Sequence, residues 1–174
     1  SLPDSQKYGC INGSGFSELN VETLRQLKYK FDSEEVDEMK RYIVCGAAEI
    51  RAMLRETEIT NADYNSVKAL VSGEVNSFMG FTFIRIERLP YTTAAITFDA
   101  ATGDVGTGSD TIPVGSKRCF AFAGDAVIAG IGANPSARVS ERPDKHYANQ
   151  VYFSMSLGGM RMEEVKVIEF FTKQ

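Results

Sequence analysis

The chain has 174 residues, with 19 lysines and arginines against 23 aspartates and glutamates, which gives a formal net charge of -4. This balance argues against a dedicated nucleic-acid binder, although it does not exclude a local patch that touches DNA. The three cysteines form an odd and sparse set, so we expect reduced thiols and not a disulfide framework. The longest weakly polar run, residues 119–133, is interrupted by Asp125 and is too short to span a bilayer.

The first helix is predicted after a polar, glycine-rich segment. Residues 1–19 are expected to form an irregular lead-in. Asn20 is a good helix cap, and Leu24, Leu27 and Phe31 then recur at helical spacing. The sequence therefore predicts a helix that starts at Asn20 and has one apolar face.

A strand and two more helices are predicted before residue 80. The apolar run at 42–45 predicts a short buried strand, and the helices are expected at 47–56 and 62–72. Before them lies an acidic cluster formed by Glu34, Glu35, Asp37 and Glu38. We expect a solvated turn or helix face there, because no histidine or fixed ligand spacing accompanies these carboxylates.

The pattern changes from helical to strand-like after Gly80. Strands are predicted at 81–88, 94–98, 117–123, 137–142, 150–157 and 165–171. A flexible loop is expected at 99–116, a short helix or turn at 124–132, a turn at 143–145, and a break at Gly158 and Gly159. Helices followed by strands predict an α+β architecture with a mixed or antiparallel sheet.

The 99–116 loop offers weak signals for ligand binding. Gly103, Gly106 and Gly108 do not have the spacing of a phosphate-binding fingerprint. Three aspartates accompany them, but the ordered ligand ladder of a calcium loop is absent. These are Asp99, Asp104 and Asp110. A mobile surface hairpin is the expected structure.

His146 is the single histidine, so any histidine-based catalytic triad would have to use it. Ser140 and Asp144 lie close in sequence, but no Gly-x-Ser-x-Gly pattern occurs. We expect a structural or surface histidine, no catalytic residue, no cofactor site and no metal site. Tyr152, Phe153, Met155 and Leu157 are expected to form a sheet face in the core.

One succession of segments carries a resemblance to a known family. It comprises residues 24–31, 41–45, 50–54, 73–75, 80–90, 120–127, 140–145, 150–153 and 158–161. This succession resembles the C-terminal half of tailed-phage major capsid proteins that have the Hong Kong ninety-seven type fold. The resemblance covers residues 20–174 and rests on order, since no single motif is decisive.

The resemblance implies axial-domain helices and a strand at 20–80, followed by strands at 81–174 that return to a peripheral domain. The 99–116 loop would be an insertion on that return. No segment matches the N-terminal arm, extended loop or long spine helix of the family, so we expect a fragment or a truncated product. No covalent crosslinking site is transferred, because the loop that would carry its lysine is missing.

The expected function is structural: a coat subunit of a tailed bacteriophage or prophage that self-assembles into hexamers and pentamers of an icosahedral shell around DNA. Expected partners are copies of itself, with scaffolding, portal or decoration proteins, non-specific contact with packaged DNA, and no membrane. The expected location is the virion capsid, assembled in the bacterial cytoplasm. Charged residues would set register between neighbouring copies, namely Lys28, Lys30, Glu34, Glu35 and Lys40.

Two alternatives stay open at this point. One is a small ligand-binding or hydrolytic α+β domain that uses the 99–116 loop and His146. The other is a different virion structural protein, such as a decoration or tail protein.

Overall fold

The computed structural model describes residues 2–12, 15–38, 40–56 and 77–173. The helix predicted at 62–72 lies outside the described residues. The chain divides into two compact units. The first comprises Ser1–Ala126 and Glu163–Gln174, and the second is Val127–Met162.

Within the described residues, two α-helices and ten strands confirm the predicted α+β class. The helices are α1 (Val21–Ser33) and α2 (Ala47–Met53). The strands are β1 (Lys7–Gly9), β2 (Arg41–Cys45), β3 (Ser77–Phe78), β4 (Phe81–Arg85), β5 (Ile96–Phe98), β6 (Asp110–Ile112), β7 (Lys117–Ala123), β8 (Val127–Arg142), β9 (Ala148–Arg161) and β10 (Val167–Thr172). Short 3-10 helices occupy Asp4–Gln6 and Pro143–Lys145.

A six-stranded mixed sheet forms the centre of the first unit, in the order β1-β10-β7-β2-β4-β3. β1 runs parallel to β10 and β2 runs parallel to β4, whereas the other neighbours are antiparallel. Along β7, every second residue from Lys117 to Ala123 is buried. This alternation is the period of a strand, and it places those side chains on one face of the sheet.

Helix α1 packs its apolar face into the core, as its residue spacing predicts. Asn20 Oδ1 accepts the Thr23 backbone N–H at 2.8 Å, which confirms the predicted cap. The Asn20 amide also donates to the Ile11 carbonyl at 2.7 Å, so it fixes the preceding segment to the helix start. Phe31 then contacts Phe81 of β4, with 6.1 Å between ring centroids.

The segment predicted as an irregular lead-in contains β1, an edge strand of the central sheet. Tyr8 pairs with Phe170 of β10 and is fully buried. The prediction was wrong here because three residues give too short a pattern to show a strand. The parallel pairing with β10 joins residues more than 150 positions apart and leaves no local sequence signal.

The segment predicted as a loop at 99–116 contains β6, which pairs with β5 in a two-stranded sheet. Ile112 and Val105 are buried in the core of the first unit. The Gly9 N–H donates to the Gly103 carbonyl at 2.7 Å. Gly103 has φ +80°, and a Cβ there would lie 2.4 Å from the Tyr8 ring, so glycine is required at this approach.

The second unit is a β-hairpin in which β8 pairs antiparallel with β9. Of the short helix or turn predicted at 124–132, a turn is present at residues 124 and 125, and the rest of the prediction was wrong because β8 begins at Val127. The break predicted at Gly158 and Gly159 was also wrong, because these glycines continue the ladder opposite Gly130 and Ala129. Pairing with a second strand offsets the weak strand preference of glycine.

A buried cation joins four parts of the first unit. Lys117 of β7 is fully buried, and its Nζ donates to Glu87 Oε1 at 2.7 Å and lies 3.7 Å from Glu49 Oε2. The buried Glu49 carboxylate also accepts the Gly46 N–H at 2.9 Å and the Thr172 hydroxyl at 3.0 Å. The cluster therefore ties β7, the start of α2, the segment after β4 and the end of β10 together.

Replacing Lys117 by Met should destabilise the chain by roughly 3–5 kcal/mol, because Glu49 would keep a buried charge without its cation. Urea unfolding followed by circular dichroism measures this loss. Arg25→Met, which breaks the exposed pair between Arg25 and Glu22, is the matched control and should change stability little. Equal losses in the two variants would contradict the role given to the buried cluster.

Acid should weaken the first unit through Glu87. The Ala47 N–H and the Lys117 ammonium donate to this carboxylate and lower its pKa below the ordinary value. Because the folded pKa lies below the unfolded value of about 4.3, the stabilisation is present above that pH and is lost as pH falls through the folded pKa. Glu87→Gln should lose less stability than the parent between about pH 5 and pH 3, in thermal unfolding at each pH. Identical pH profiles would contradict this.

Candidate functional site

The hairpin of the second unit carries an exposed apolar face. Val139 pairs with Val151, Ala137 with Phe153 and Ile131 with Leu157, and paired residues project to the same side. With Met155, which follows the same alternation along β9, these residues form what we call the apolar face. Its large side chains are exposed: Ile131 64%, Val139 71%, Val151 69%, Phe153 61%, Met155 45% and Leu157 61%.

The opposite face of the hairpin is mostly polar towards the turn. Arg138 pairs with Tyr152, and Ser136 pairs with Ser154 with 2.9 Å between their hydroxyl oxygens. The hairpin is therefore amphipathic towards the turn, whereas Ile128 and Met160, which pair farther from the turn, add exposed apolar side chains to the opposite face. A two-stranded hairpin is at best marginally stable in water, and a contiguous exposed apolar face marks an interaction surface.

The prediction that Tyr152, Phe153, Met155 and Leu157 lie in the core was wrong, since all four are exposed. Tyr152 also projects to the opposite face from the other three, as the strand alternation requires. The sequence pattern identifies a strand with one apolar face. It does not show whether another layer of the same chain covers that face.

His146 lies in the tight turn between β8 and β9 and is exposed. Its φ of 51° places it in the left-handed region, as does the φ of 58° at Tyr147. The carboxylate of Asp144 is engaged by the Arg142 guanidinium, with Oδ2 at 2.6 Å from Nη2. Ser140 pairs with Gln150 along the hairpin. His146 thus occupies a turn and has the surface position that the sequence predicts.

The three aspartates of the 99–116 segment make separate contacts in the first unit. Asp99 Oδ1 accepts the Ala101 N–H at 2.8 Å, Asp104 Oδ1 lies 2.5 Å from Lys30 Nζ, and Asp110 pairs with Phe98 in the β5–β6 ladder. Across the described residues, no group of three or more His, Cys, Asp or Glu side chains is placed to hold a metal ion. The side chains of Asp99 and Asp104 thus make contacts with other residues of the first unit, and Asp110 contributes through strand pairing.

Two of the charged residues expected to set register make contacts within the chain. Lys30 pairs with Asp104 and lies 5.4 Å from the Tyr8 ring centroid, and Lys28 lies 3.5 Å from Glu38. Glu34, Glu35 and Lys40 are exposed. Glu35 has φ 53°, in the turn that follows α1.

The surface of the first unit has shallow clefts of about 300–350 Å³. One is lined by Glu18, Asn20, Arg55 and Lys173, and Arg55 pairs there with Glu18 at 3.7 Å. Such volumes are at the lower limit for small-molecule sites. In the cleft that contains Arg55 and Glu18, two of the lining charges therefore neutralise each other.

Among the helices that the structure describes, none has the length and apolar character needed to cross a membrane.

Comparison with known proteins identifies the family. The model of the phage capsid protein family matches residues 1–172, and the chain belongs to this family. No curated protein sequence matches the chain. Membership defines a structural, non-enzymatic protein of the phage capsid, in agreement with the resemblance read from the sequence.

Solved structures have the same fold at low sequence identity. A chain of Mycobacterium phage Che8 superposes with a TM-score of 0.64 at 13% identity, with 96% of this chain and 54% of that chain covered. The capsid of cyanophage P-SCSP1u gives 0.64 at 17% identity, with 91% and 54% covered. The capsid of cyanophage Pam1 gives 0.64 at 10% identity, with 97% and 54% covered. The chain thus spans about half the length of these proteins.

The apolar face should bind the dye anilinonaphthalene sulfonate, which fluoresces on exposed apolar surface. Replacing Phe153 and Leu157 by Ser should reduce this fluorescence, because both side chains are more than half exposed on that face. The matched control replaces Tyr152 and Met160 by Ser on the opposite face and should reduce it less. Fluorescence that is unchanged in the first variant would contradict the exposed apolar face.

Proposed function

We propose that this chain is part of a major capsid subunit whose copies form the hexamers and pentamers of an icosahedral phage shell around DNA. The observation that carries the proposal is the match to the phage capsid protein family over residues 1–172. The fold shared with the capsids of two cyanophages supports it. The protein acts through contacts between copies and performs no chemistry on a substrate.

The two units suggest how the axial and peripheral parts are divided. The shared sheet of β2, β4, β7 and β10 supports an axial domain that extends beyond the predicted boundary at residue 80. We therefore assign the axial domain to the first unit, with its central sheet and both described helices. The hairpin Val127–Met162 is assigned to the peripheral domain.

The apolar face of the hairpin is the surface that we expect a neighbouring copy to cover in the shell. Burying a large apolar side chain that is now about two-thirds exposed contributes roughly 1–2 kcal/mol. Five such side chains per copy, repeated around closed symmetry axes, give many modest contacts that act together. The exposed charges of Glu34, Glu35 and Lys40 then favour one register between neighbours over others.

The proposed location is the virion capsid, with assembly in the bacterial cytoplasm. A net charge of -4 supports only non-specific contact with packaged DNA, through local patches. Scaffolding, portal or decoration proteins are further proposed partners.

Assembly from the complete open reading frame tests the proposal. The parent should form closed particles in electron microscopy and sediment as a large species. Phe153→Ser combined with Leu157→Ser should lower the particle yield at least tenfold, because the contact would lose apolar burial at every copy. His146→Ala, at the tip of the same hairpin, is the control and should leave the yield unchanged.

Two outcomes would count against these proposals. A parent protein that folds but never forms particles would contradict the shell function. If the variant at Phe153 and Leu157 forms particles at the parent yield while circular dichroism confirms its fold, that result would contradict a contribution of the hairpin to the contact between copies. If charge reversal at Glu34 and Glu35 has no effect on assembly, these two side chains do not set the register between neighbouring copies.

A further inference from the structure

Two of the three cysteines belong to neighbouring strands at the centre of the sheet. Cys45 is the last residue of β2, and Cys119 is the third residue of β7. These strands pair antiparallel, with Val44 opposite Phe120 at the end of the ladder. The same register, continued by one residue beyond this last pair, would place Cys45 opposite Cys119. The ladder ends there because the next N–H, that of Gly46, donates to Glu49.

The hydrogen-bond pattern determines which kind of pair this is. The Gly124 N–H donates to the Lys40 carbonyl at 2.8 Å, so residues 40 and 124 form a hydrogen-bonded pair. Hydrogen-bonded and non-hydrogen-bonded pairs alternate along an antiparallel ladder, which makes Cys45 and Cys119 a non-hydrogen-bonded pair. In such pairs the Cα atoms lie about 4.5 Å apart and the side chains project to the same face. A disulfide accepts Cα separations of roughly 4.4–6.8 Å.

The third cysteine directly follows a strand that is not a neighbour of β7. The Cys10 N–H donates to the Phe171 carbonyl of β10, so Cys10 continues β1 on the far side of β10 from β7. Two strand spacings separate Cys10 from Cys119, or about 9–10 Å. Cysteines whose Cα atoms are more than about 7 Å apart cannot be bridged without movement of the backbone.

We propose that Cys45 and Cys119 are a redox modification site, which a two-electron oxidant converts into an intrachain disulfide that links β2 to β7. Each thiol gives up one proton and one electron as the S–S bond forms, and the oxidant takes up both hydrogens. With diamide as the oxidant, its N=N bond is reduced to a hydrazine. With molecular oxygen, the product is hydrogen peroxide.

The surroundings of the pair make this oxidation slow. All three cysteines are buried, and burial raises the pKa of Cys45 to about 12 and that of Cys119 further above its ordinary value. The thiolate is the reactive form, so both thiols stay protonated until the sheet opens locally. The link would thus be absent after synthesis in a reducing cytoplasm and would form during long exposure to oxygen.

Oxidation of the isolated chain tests the pairing. Protein purified under a reductant is treated with diamide at a series of temperatures below its unfolding transition. It is then unfolded in iodoacetamide, and its alkylated cysteines are counted by intact mass. We expect one alkylated cysteine instead of the three free cysteines of the reduced chain. Peptide mapping should find Cys45 linked to Cys119, and the oxidised chain should unfold at a higher temperature.

Three single variants control for the choice of partner. Cys45→Ser and Cys119→Ser should each abolish the linked peptide and the thermal shift, whereas Cys10→Ser should retain both. Three alkylated cysteines at every temperature, a linked peptide that contains Cys10, or disulfide-linked dimers as the main product would each overturn the assignment. These readouts need no assembly, so they stay independent of the shell function.

The setting in which the link forms rests on the proposed function. Particles purified in air should yield one alkylated cysteine per chain, and particles kept under a reductant should yield three. If aerobic particles yield three alkylated cysteines while the isolated chain forms the link, oxidation in the assembled shell is contradicted. A chain that forms the link but never assembles would contradict the shell function alone.

Discussion

The first unit depends on an ammonium group that has been removed from water. Lys117 is fully buried, and such a group is tolerated only where carboxylates and hydrogen bonds replace its hydration. Glu49 and Glu87 supply that environment, and each also accepts a backbone N–H at the start of α2. Lys117 therefore links β7 to the start of α2 and to the segment after β4, and Glu49 adds β10 through the Thr172 hydroxyl.

This arrangement leaves little freedom at Gly46. A Cβ at this position would lie 2.1 Å from Lys117 Nζ and 2.7 Å from Glu49 Oε2, so a larger residue would displace one of them. The same compactness surrounds the buried thiols, because Cys45 directly precedes Gly46 and Cys119 is two residues from Lys117. Lys117, Glu49 and the two cysteines thus share the buried centre of the sheet, whereas Glu87 reaches Lys117 from the exposed side.

In the second unit, by contrast, large apolar side chains project into solvent. A hairpin with Val139, Val151 and Phe153 exposed on one face gains little from folding alone, because the hydrophobic contribution comes only when water is excluded from both partners. Membership in the phage capsid protein family gives this exposure a function, since a capsid subunit must keep surface for its neighbours. The first unit contains the buried core, and the hairpin carries the exposed apolar face that we propose as a contact surface.

The sequence by itself determined the local features: the Asn20 cap and apolar face of α1, the alternation of β7, and the short strand β2. Each depends on side chains within a few residues of one another, and together they were enough for the α+β class and the family resemblance. Only the tertiary structure decided that residues 7–9 join β10, that Lys117 is buried, and that the face carrying Phe153 is exposed. Strand pairing and burial depend on groups distant in the chain, and the side-chain period identifies a face without identifying what covers it.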